Sequence, residues 1–256
     1  MQVETVRPLR FGFHRFAAPP EFYRLAGRLI PWFGFAAAAL AAFGLYLGFF
    51  VAPTDFQQGE VYRIIFIHVP ASWMAMFIYA VMAFWAGFGM AFNTRMSSMW
   101  ACAMAPTGAL MAFLALWTGA LWGRPTWGAY WVWDARMTST LILLFLYVGF
   151  MALHAAFDDP RRADRAAGVL ALAGVVNLPI IYFSVQWWNT LHQGATISPA
   201  RAPSMAATML EAMLVMVVAF WMYSIAASLA RARAILLERE KRSSWAQAVS
   251  RGSAQE

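Results

Sequence analysis

The chain has 256 residues, of which 62% are hydrophobic and only 12% charged, with a mean hydropathy of +0.57. A soluble domain carries about twice that share of charge, so the composition excludes an ordinary water-soluble fold and points to an all-α, polytopic membrane protein. The net charge of +7 sits in connections and tails, unlike a nucleic-acid recognition surface, and the single cysteine, Cys102, excludes an internal disulfide.

Residues 1–31 form a basic segment with Arg7, Arg10, Arg15, Arg24 and Arg28 among aromatics and prolines. It is too polar and too long for a signal peptide and suits a membrane surface, with His14 facing solvent or headgroups. A first apolar span is expected at about 32–52, closed by Pro53 and Asp55. A polar loop with Asp55, Glu60 and Arg63 leads to His68. Proline fits the first turn of a helix and holds the residue before it extended. Pro70 therefore predicts an extended Val69, a second span from Pro70 to about 92, and His68 at its mouth. Asn93, Thr94 and Arg95 connect tightly to a third span ending near Leu121, in which Cys102 is expected as an inert, buried thiol.

The stretch WGRPTWGAYWVWDARMTS, Trp122 to Ser139, follows and concentrates Trp122, Trp127, Trp131 and Trp133 of the chain's 13 tryptophans. Gly123 and Pro125 predict that the preceding helix stops and that Trp122 opens a loop or interfacial piece. A helix after Pro125 would put Trp127 and Trp131 one turn apart, with Tyr130 beside them. Arg124, Asp134 and Arg136 supply a polar rim. Such a surface reads either as an aromatic belt at the lipid interface or as a flat platform for a ligand. Asp134 also suits the N-cap of a helix beginning near Ala135.

A fourth span is expected from about Arg136 to Phe157, then the charged turn Asp158–Arg165, then a fifth span over 166–185 containing Pro179. WWNTLHQ carries His192 into the connection before a sixth span, Met205 to Leu229. Glu211, near the outer end of that span, is costly in lipid and is expected to face the bundle interior. The organisation is thus a basic N-terminal segment, 1–31, a six-span domain, 32–229, and a polar C-terminal tail, 230–256.

Six spans put both termini on one side. Of the 19 Lys and Arg, all but Arg63, Arg124, Arg136 and Arg201 fall in the tails and even-numbered connections. Positive residues favour the cytoplasm, so both termini are expected there, with the tryptophan segment, His68 and His192 facing outward. His154, near the other end of span four, and His14 cannot reach that face.

The order WGxPxWGxxWxWDxRxTS resembles the WWD signature of cytochrome c biogenesis proteins, which handle haem on the outer face of a membrane. IFIHVPASWM around His68 and NLPIIYFSVQWWNTLHQGATI around His192 resemble the two histidine-bearing segments of the CcmC-type haem exporter family, and the similarity covers most of 60–225. The resemblance implies haem b carried as cargo on the periplasmic face of a bacterial inner membrane. It implies His68 and His192 as axial ligands, with Trp122, Trp127, Tyr130, Trp131, Trp133 and Asp134 around the porphyrin. It further implies handover to the membrane-anchored haem chaperone CcmE and association with the ABC transporter subunits CcmA and CcmB and the small membrane protein CcmD. Two imidazoles at one level suit six-coordinate haem iron. Arg124 and Arg136 suit either haem propionates or the headgroup phosphates of membrane lipid.

Two other readings belong to different classes. A WWD-type haem lyase acting on apocytochrome c would be a larger protein with more spans and further histidines. A transmembrane haem electron carrier would hold its iron at mid-span, where this chain places no histidine. No GxxxxGK[ST] and no hydrolytic constellation occurs, so the chain reads as a haem-handling protein rather than an enzyme, with any ATP hydrolysis left to a partner.

Overall fold

The computed structural model describes residues 18–192 and 202–252, so His14, Arg201 and most of the basic N-terminal segment lie outside the described residues. The rest is helical apart from short connections. The elements are α1 (Pro19–Tyr46), α2 (Ile65–Phe92), α3 (Arg95–Trp127), α4 (Ala135–Ala155), α5 (Pro160–Gly174), α6 (Asn177–Trp187), α7 (Ala207–Arg239) and α8 (Ser244–Gly252). A π-helical turn, Leu47–Val51, prolongs α1, and a 3-10 turn, Glu60–Ile64, leads into α2. With α5 and α6 counted together, six segments among the described residues are long and apolar enough to cross a membrane.

Local chemistry sets most boundaries. Pro19 and Pro20 occupy the first turn of α1, where an amide hydrogen is not needed. Asn93 closes α2 in the left-handed conformation at φ 53°. Asp134 caps α4 by accepting from the Met137 amide at 2.8 Å, and Asp159 caps α5 through the Arg161 amide at 3.0 Å.

Several expectations are corrected. Pro70 lies inside α2 rather than at its start, and Val69 is helical. The 3-10 turn ahead of it is anchored by tertiary bonds, which start the helix early. The Tyr62 hydroxyl donates to the Pro53 carbonyl at 2.6 Å, and Arg63 donates to the Gly48 and Ala52 carbonyls. Helix α3 does not stop near Leu121 but continues through Gly123 and Pro125 to Trp127. A proline in a last turn removes a single intrahelical bond, and Gly123 leaves room for the Trp127 ring, which a Cβ there would meet at 3.1 Å. Trp127 and Trp131 are therefore not one turn apart, because Gly128, at φ 80°, ends the helix between them.

The fifth span is broken in two. Pro179 cannot donate to the Val175 carbonyl, which accepts instead from the Leu178 amide at 3.0 Å, and α6 starts afresh at Asn177. The sixth helix carries on past Leu229 to Arg239. Glu211 is exposed, not turned inward, since the buried stripe of that turn is Met209, Ala212, Met213 and Met216 and Glu211 falls off it. Cys102 is half-buried, its thiol pointing at Asp164 at 3.8 Å.

Helix α1 packs mainly on α7, α2 on α3, and α4 on α3 and α5. Gly44 lets α1 approach α7, where a Cβ would lie 2.8 Å from the Met216 sulfur. The outer side of α1 presents Trp32, Phe35 and Phe43, as a lipid-facing helix does. The central core gathers α2, α3, α4 and α5 around Tyr79 and Tyr147, whose rings meet at 5.0 Å. Deep phenols need acceptors in a bilayer. The Tyr147 hydroxyl donates to the Ala75 carbonyl at 2.8 Å, and Gly108 makes room for its ring. This core separates a cavity at the tryptophan end from a charged cluster at the opposite end.

Candidate functional site

At the tryptophan end, α2, α3, α4, α6, α7 and the 52–60 connection surround a cavity of about 910 Å³. That volume lies at the upper end of the usual range for small-molecule sites. Its walls are mostly apolar, including Ile65, Leu116, Leu143, Met209 and Met213, with Trp73, Trp122 and Trp127 as aromatic faces. His68, His192 and Arg136 all line it. The two histidines, 124 positions apart in sequence by their numbers, thus face one space.

His68 comes from the first turn of α2. Its Nδ1 is 3.0 Å from the Thr118 hydroxyl on α3, and that hydroxyl donates to the Leu114 carbonyl at 2.5 Å. The hydroxyl proton is therefore spent on the carbonyl, so Thr118 accepts from Nδ1–H. That fixes the tautomer and leaves Nε2 with its lone pair. The Trp122 ring meets the imidazole edge-on at 5.6 Å. Gly119 lies under the ring, where a Cβ would come within 3.0 Å of Cε1. Trp122 is in turn held by the 52–60 connection, its Nε1 donating to Gln58 Oε1 at 2.7 Å.

His192 sits just beyond α6, and its placement is just as closely specified. Its Nδ1 is 2.9 Å from Asp134 Oδ2, the Thr190 hydroxyl donates to the same carboxylate oxygen, and the His192 amide donates back to the Thr190 hydroxyl at 3.1 Å. Again Nδ1 carries the proton and Nε2 keeps its lone pair. The Trp127 ring packs against it at 4.7 Å. Asp134 thus serves both as N-cap of α4 and as anchor of His192, on two different oxygens.

The charges agree with that arrangement. Burial lowers the pKa of His192, and this outweighs the raising effect of the Asp134 carboxylate, so the imidazole is neutral at neutral pH. Burial alone would raise Asp134, but the bonds from Thr190, the Met137 amide and His192 together hold it below the ordinary carboxylate value. A neutral imidazole oriented by an ionised carboxylate is the donor state that a metal requires.

The sequence-derived residues divide into two groups. Trp122, Trp127, His68, His192 and Arg136 meet at the cavity, with Asp134 directly behind His192. Arg136 donates through Nε to Ser184 at 3.1 Å and through Nη2 to the Ile181 and Tyr182 carbonyls, which ties α4 to α6. Among the described residues its Nη1 makes no hydrogen bond. Trp131, Trp133, Tyr130 and Arg124 stand outside the lining. Trp131 and Trp133 pack on each other at 5.2 Å, Trp133 being 76% exposed. Arg124 donates to the Gly128 carbonyl and lies over the exposed Tyr130 ring at 5.8 Å. Thr118, Gly119, Gln58 and Thr190 escape a sequence reading of ligand types. A buried threonine in an apolar span and a glycine one helical step beyond it are the signals that mark Thr118 and Gly119.

The cavity suits the haem that the resemblance implies. It offers two imidazoles whose Nδ1 atoms are already engaged, three tryptophans and one guanidinium within a mostly apolar enclosure. The model of the family described as Heme exporter protein C matches residues 12–247. Among curated relatives, the Heme exporter protein C of Escherichia coli strain K12 is 49% identical over 233 residues, covering 91% of this chain and 94% of that protein. That of Bradyrhizobium diazoefficiens is 48% identical over 227 residues, covering 89% and 86%. That of Haemophilus influenzae is 43% identical over 236 residues, covering 92% and 96%.

Proposed function

The chain belongs to the Heme exporter protein C family, and from that premise we propose that it binds haem b as cargo and presents it for cytochrome c maturation. The cavity opens to the periplasmic face of a bacterial inner membrane, with both termini in the cytoplasm, in keeping with the distribution of basic residues. His68 and His192 are the axial ligands. The recipient is a CcmE-type membrane-anchored chaperone, and the complex includes the ABC subunits CcmA and CcmB and the small protein CcmD.

One observation carries this reading: two histidines from distant parts of the chain face one cavity, each with Nδ1 tied back and Nε2 left to donate. The haem supplies an iron with two axial positions, two apolar faces and two propionates. Trp122 and Trp127 hold the imidazole planes and cover porphyrin area. Arg136, already oriented by α6, offers its remaining donor to a propionate. Arg124, at the exposed rim, suits a headgroup phosphate better. The exposed aromatics Tyr130, Trp133, Trp187 and Trp188 form the surface that a chaperone meets.

The test is the optical spectrum of the purified, haem-loaded protein. The wild type should be six-coordinate and low-spin, and His68→Ala combined with His192→Ala should abolish that spectrum and the loading of the chaperone. An unchanged low-spin spectrum in the double variant overturns the ligand assignment. Reporter fusions near Gly128 should report the periplasm, and a cytoplasmic signal there overturns the orientation.

A further inference from the structure

The two histidines are not equivalent. We infer that Asp134 makes His192 the ligand that stays on the iron, and that His68 is the ligand released when the haem leaves. The inference rests on the bis-histidine reading above and concerns the order in which its two bonds break.

The imidazole partners carry the argument. Asp134 gives His192 Nδ1 a full carboxylate at 2.9 Å, and its side chain is only 5% exposed, so little solvent screens the interaction. A proton shared with an anion leaves more electron density on the ring, which makes Nε2 a stronger donor. His68 Nδ1 has a neutral hydroxyl at 3.0 Å and the Ala115 carbonyl beside the ring, with no carboxylate among the groups that act on it; the Arg136 cation acts on both histidines alike. Charge-assisted hydrogen bonds are roughly twice as strong as neutral ones. Hydrogen-bond partners of a ligating histidine change metal affinity by about tenfold to a hundredfold.

Chain placement pulls the other way, because His68 is on a helix and His192 is in a connection. Three restraints offset this. The His192 backbone amide donates to Thr190, the Thr190 hydroxyl donates to Asp134, and Asp134 is fixed by its own cap bond to Met137. His192 is therefore held at both its backbone amide and its ring while having the stronger donor. On release, the Fe–Nε2 bond to His68 breaks, the electron pair stays on Nε2, and the open sixth position is free for a ligand of the acceptor. No electron or proton needs to move.

The full-length protein, haem-loaded in lipid nanodiscs with apomyoglobin as acceptor, tests this. His68→Ala should give five-coordinate haem that leaves somewhat faster than from the wild type, because the bond that breaks first is already absent. His192→Ala should lose haem about tenfold to a hundredfold faster. Asp134→Asn keeps the N-cap oxygen but sets an amide hydrogen against His192 Nδ1, which opposes the donor tautomer. It should approach the His192→Ala loss rate and raise the haem midpoint potential, whereas Thr118→Val should move both less. Equal loss rates for the two alanine variants overturn the inference, as does an Asp134→Asn protein with wild-type rate and potential.

The unmutated protein offers a measurement that needs no variant to fold. Carbon monoxide displaces one histidine from ferrous haem. After photolysis, the Fe–N stretch of the remaining ligand should lie at the raised frequency of a carboxylate-bonded imidazole. A frequency typical of a neutral partner means that His68 stayed, which overturns the inference. A wild-type spectrum that is not low-spin, or a double-histidine variant that remains so, refutes the underlying reading instead.

Discussion

The bundle holds a histidine–aspartate pair at each end, and their lengths barely differ: 2.9 Å for His192 and Asp134, 3.0 Å for His154 and Asp164. What surrounds them differs completely. Asp164 also receives both terminal nitrogens of Arg239, at 2.8 and 2.6 Å, with the Cys102 thiol nearby, so the pair joins α3, α4, α5 and α7. Among the described residues Asp134 receives only neutral donors besides His192, and the far side of its histidine faces a cavity. Cys102, His154 and Asp164 place their ligand atoms within 4.8 Å of one another, but Arg239 already provides the positive charge there. The same dyad is a brace when a guanidinium completes it and a ligand mount when its histidine lines a cavity.

The contrast should be plainest when each end loses its packing or its charge. Trp122→Ala with Trp127→Ala removes the ring contacts of both proposed ligands, at about 3 kcal/mol for each truncation, and should empty the site. Single Trp→Phe changes should keep haem. Haem-to-protein ratio after purification is the readout, and full occupancy in the double alanine variant would make these rings a lipid belt. At the other end, Arg239→Ala strands Asp164 beside His154 and should cost about 3 kcal/mol of stability. Thermal unfolding should register the loss while the haem spectrum of the folded fraction stays that of the wild type.

Gly119→Ala is subtler. Its methyl would stand 3.0 Å from His68 Cε1, an overpacking worth about 1 to 2 kcal/mol, and the visible spectrum should gain a high-spin component. His154→Ala should cost about 1 kcal/mol in thermal stability and leave spectrum and chaperone loading untouched. A spectral change there would erase the distinction between the two ends.

The smallest effect is on pH. Both His192 and Asp134 have lowered pKa values in the folded protein, the former through burial and the latter through its donors despite burial. A lowered value means that the folded state binds its proton less readily than the unfolded chain. Their contribution to stability is therefore complete above the ordinary imidazole range and is lost as pH falls through the lowered values. A ring-proton NMR titration of the haem-free protein should place His192 below free histidine, and a midpoint at or above it refutes this.

Much of the scaffold could be read from the chain because membrane spans obey one strong rule, continuous apolar length. Asp134 as a cap and the nearness of His68 to His192 were legible for the same reason: they follow from local pattern and from which side each connection takes. What escaped was tertiary. Gly123 and Pro125 look like a helix stop until the Trp127 ring is seen to fill the space beside the glycine. Pro70 looks like a helix start until Arg63 and Tyr62 are seen anchoring an earlier turn. Glu211 was misplaced because the cost of a buried or lipid-facing charge says nothing about which side of α7 carries the methionine stripe. The acceptors of the two histidines, Thr118 and Asp134, lie 50 and 58 positions away, beyond the reach of any local pattern.

Gly128 divides the tryptophan motif, and the division has a consequence for its motion. Trp122 and Trp127 belong to α3, where each amide is locked in a helical ladder that reaches back through the membrane. The arc from Ala129 to Trp133, ahead of the fixed Asp134, takes one backbone hydrogen bond among the described residues, at the Val132 carbonyl from the Asp134 amide at 2.8 Å. Segments with so few internal bonds open at little free-energy cost. Deuterium uptake along the motif should therefore step from slow to fast at Gly128. Trp131 and Trp133 can then follow the approach of another molecule while the rings beside the two histidines hold still.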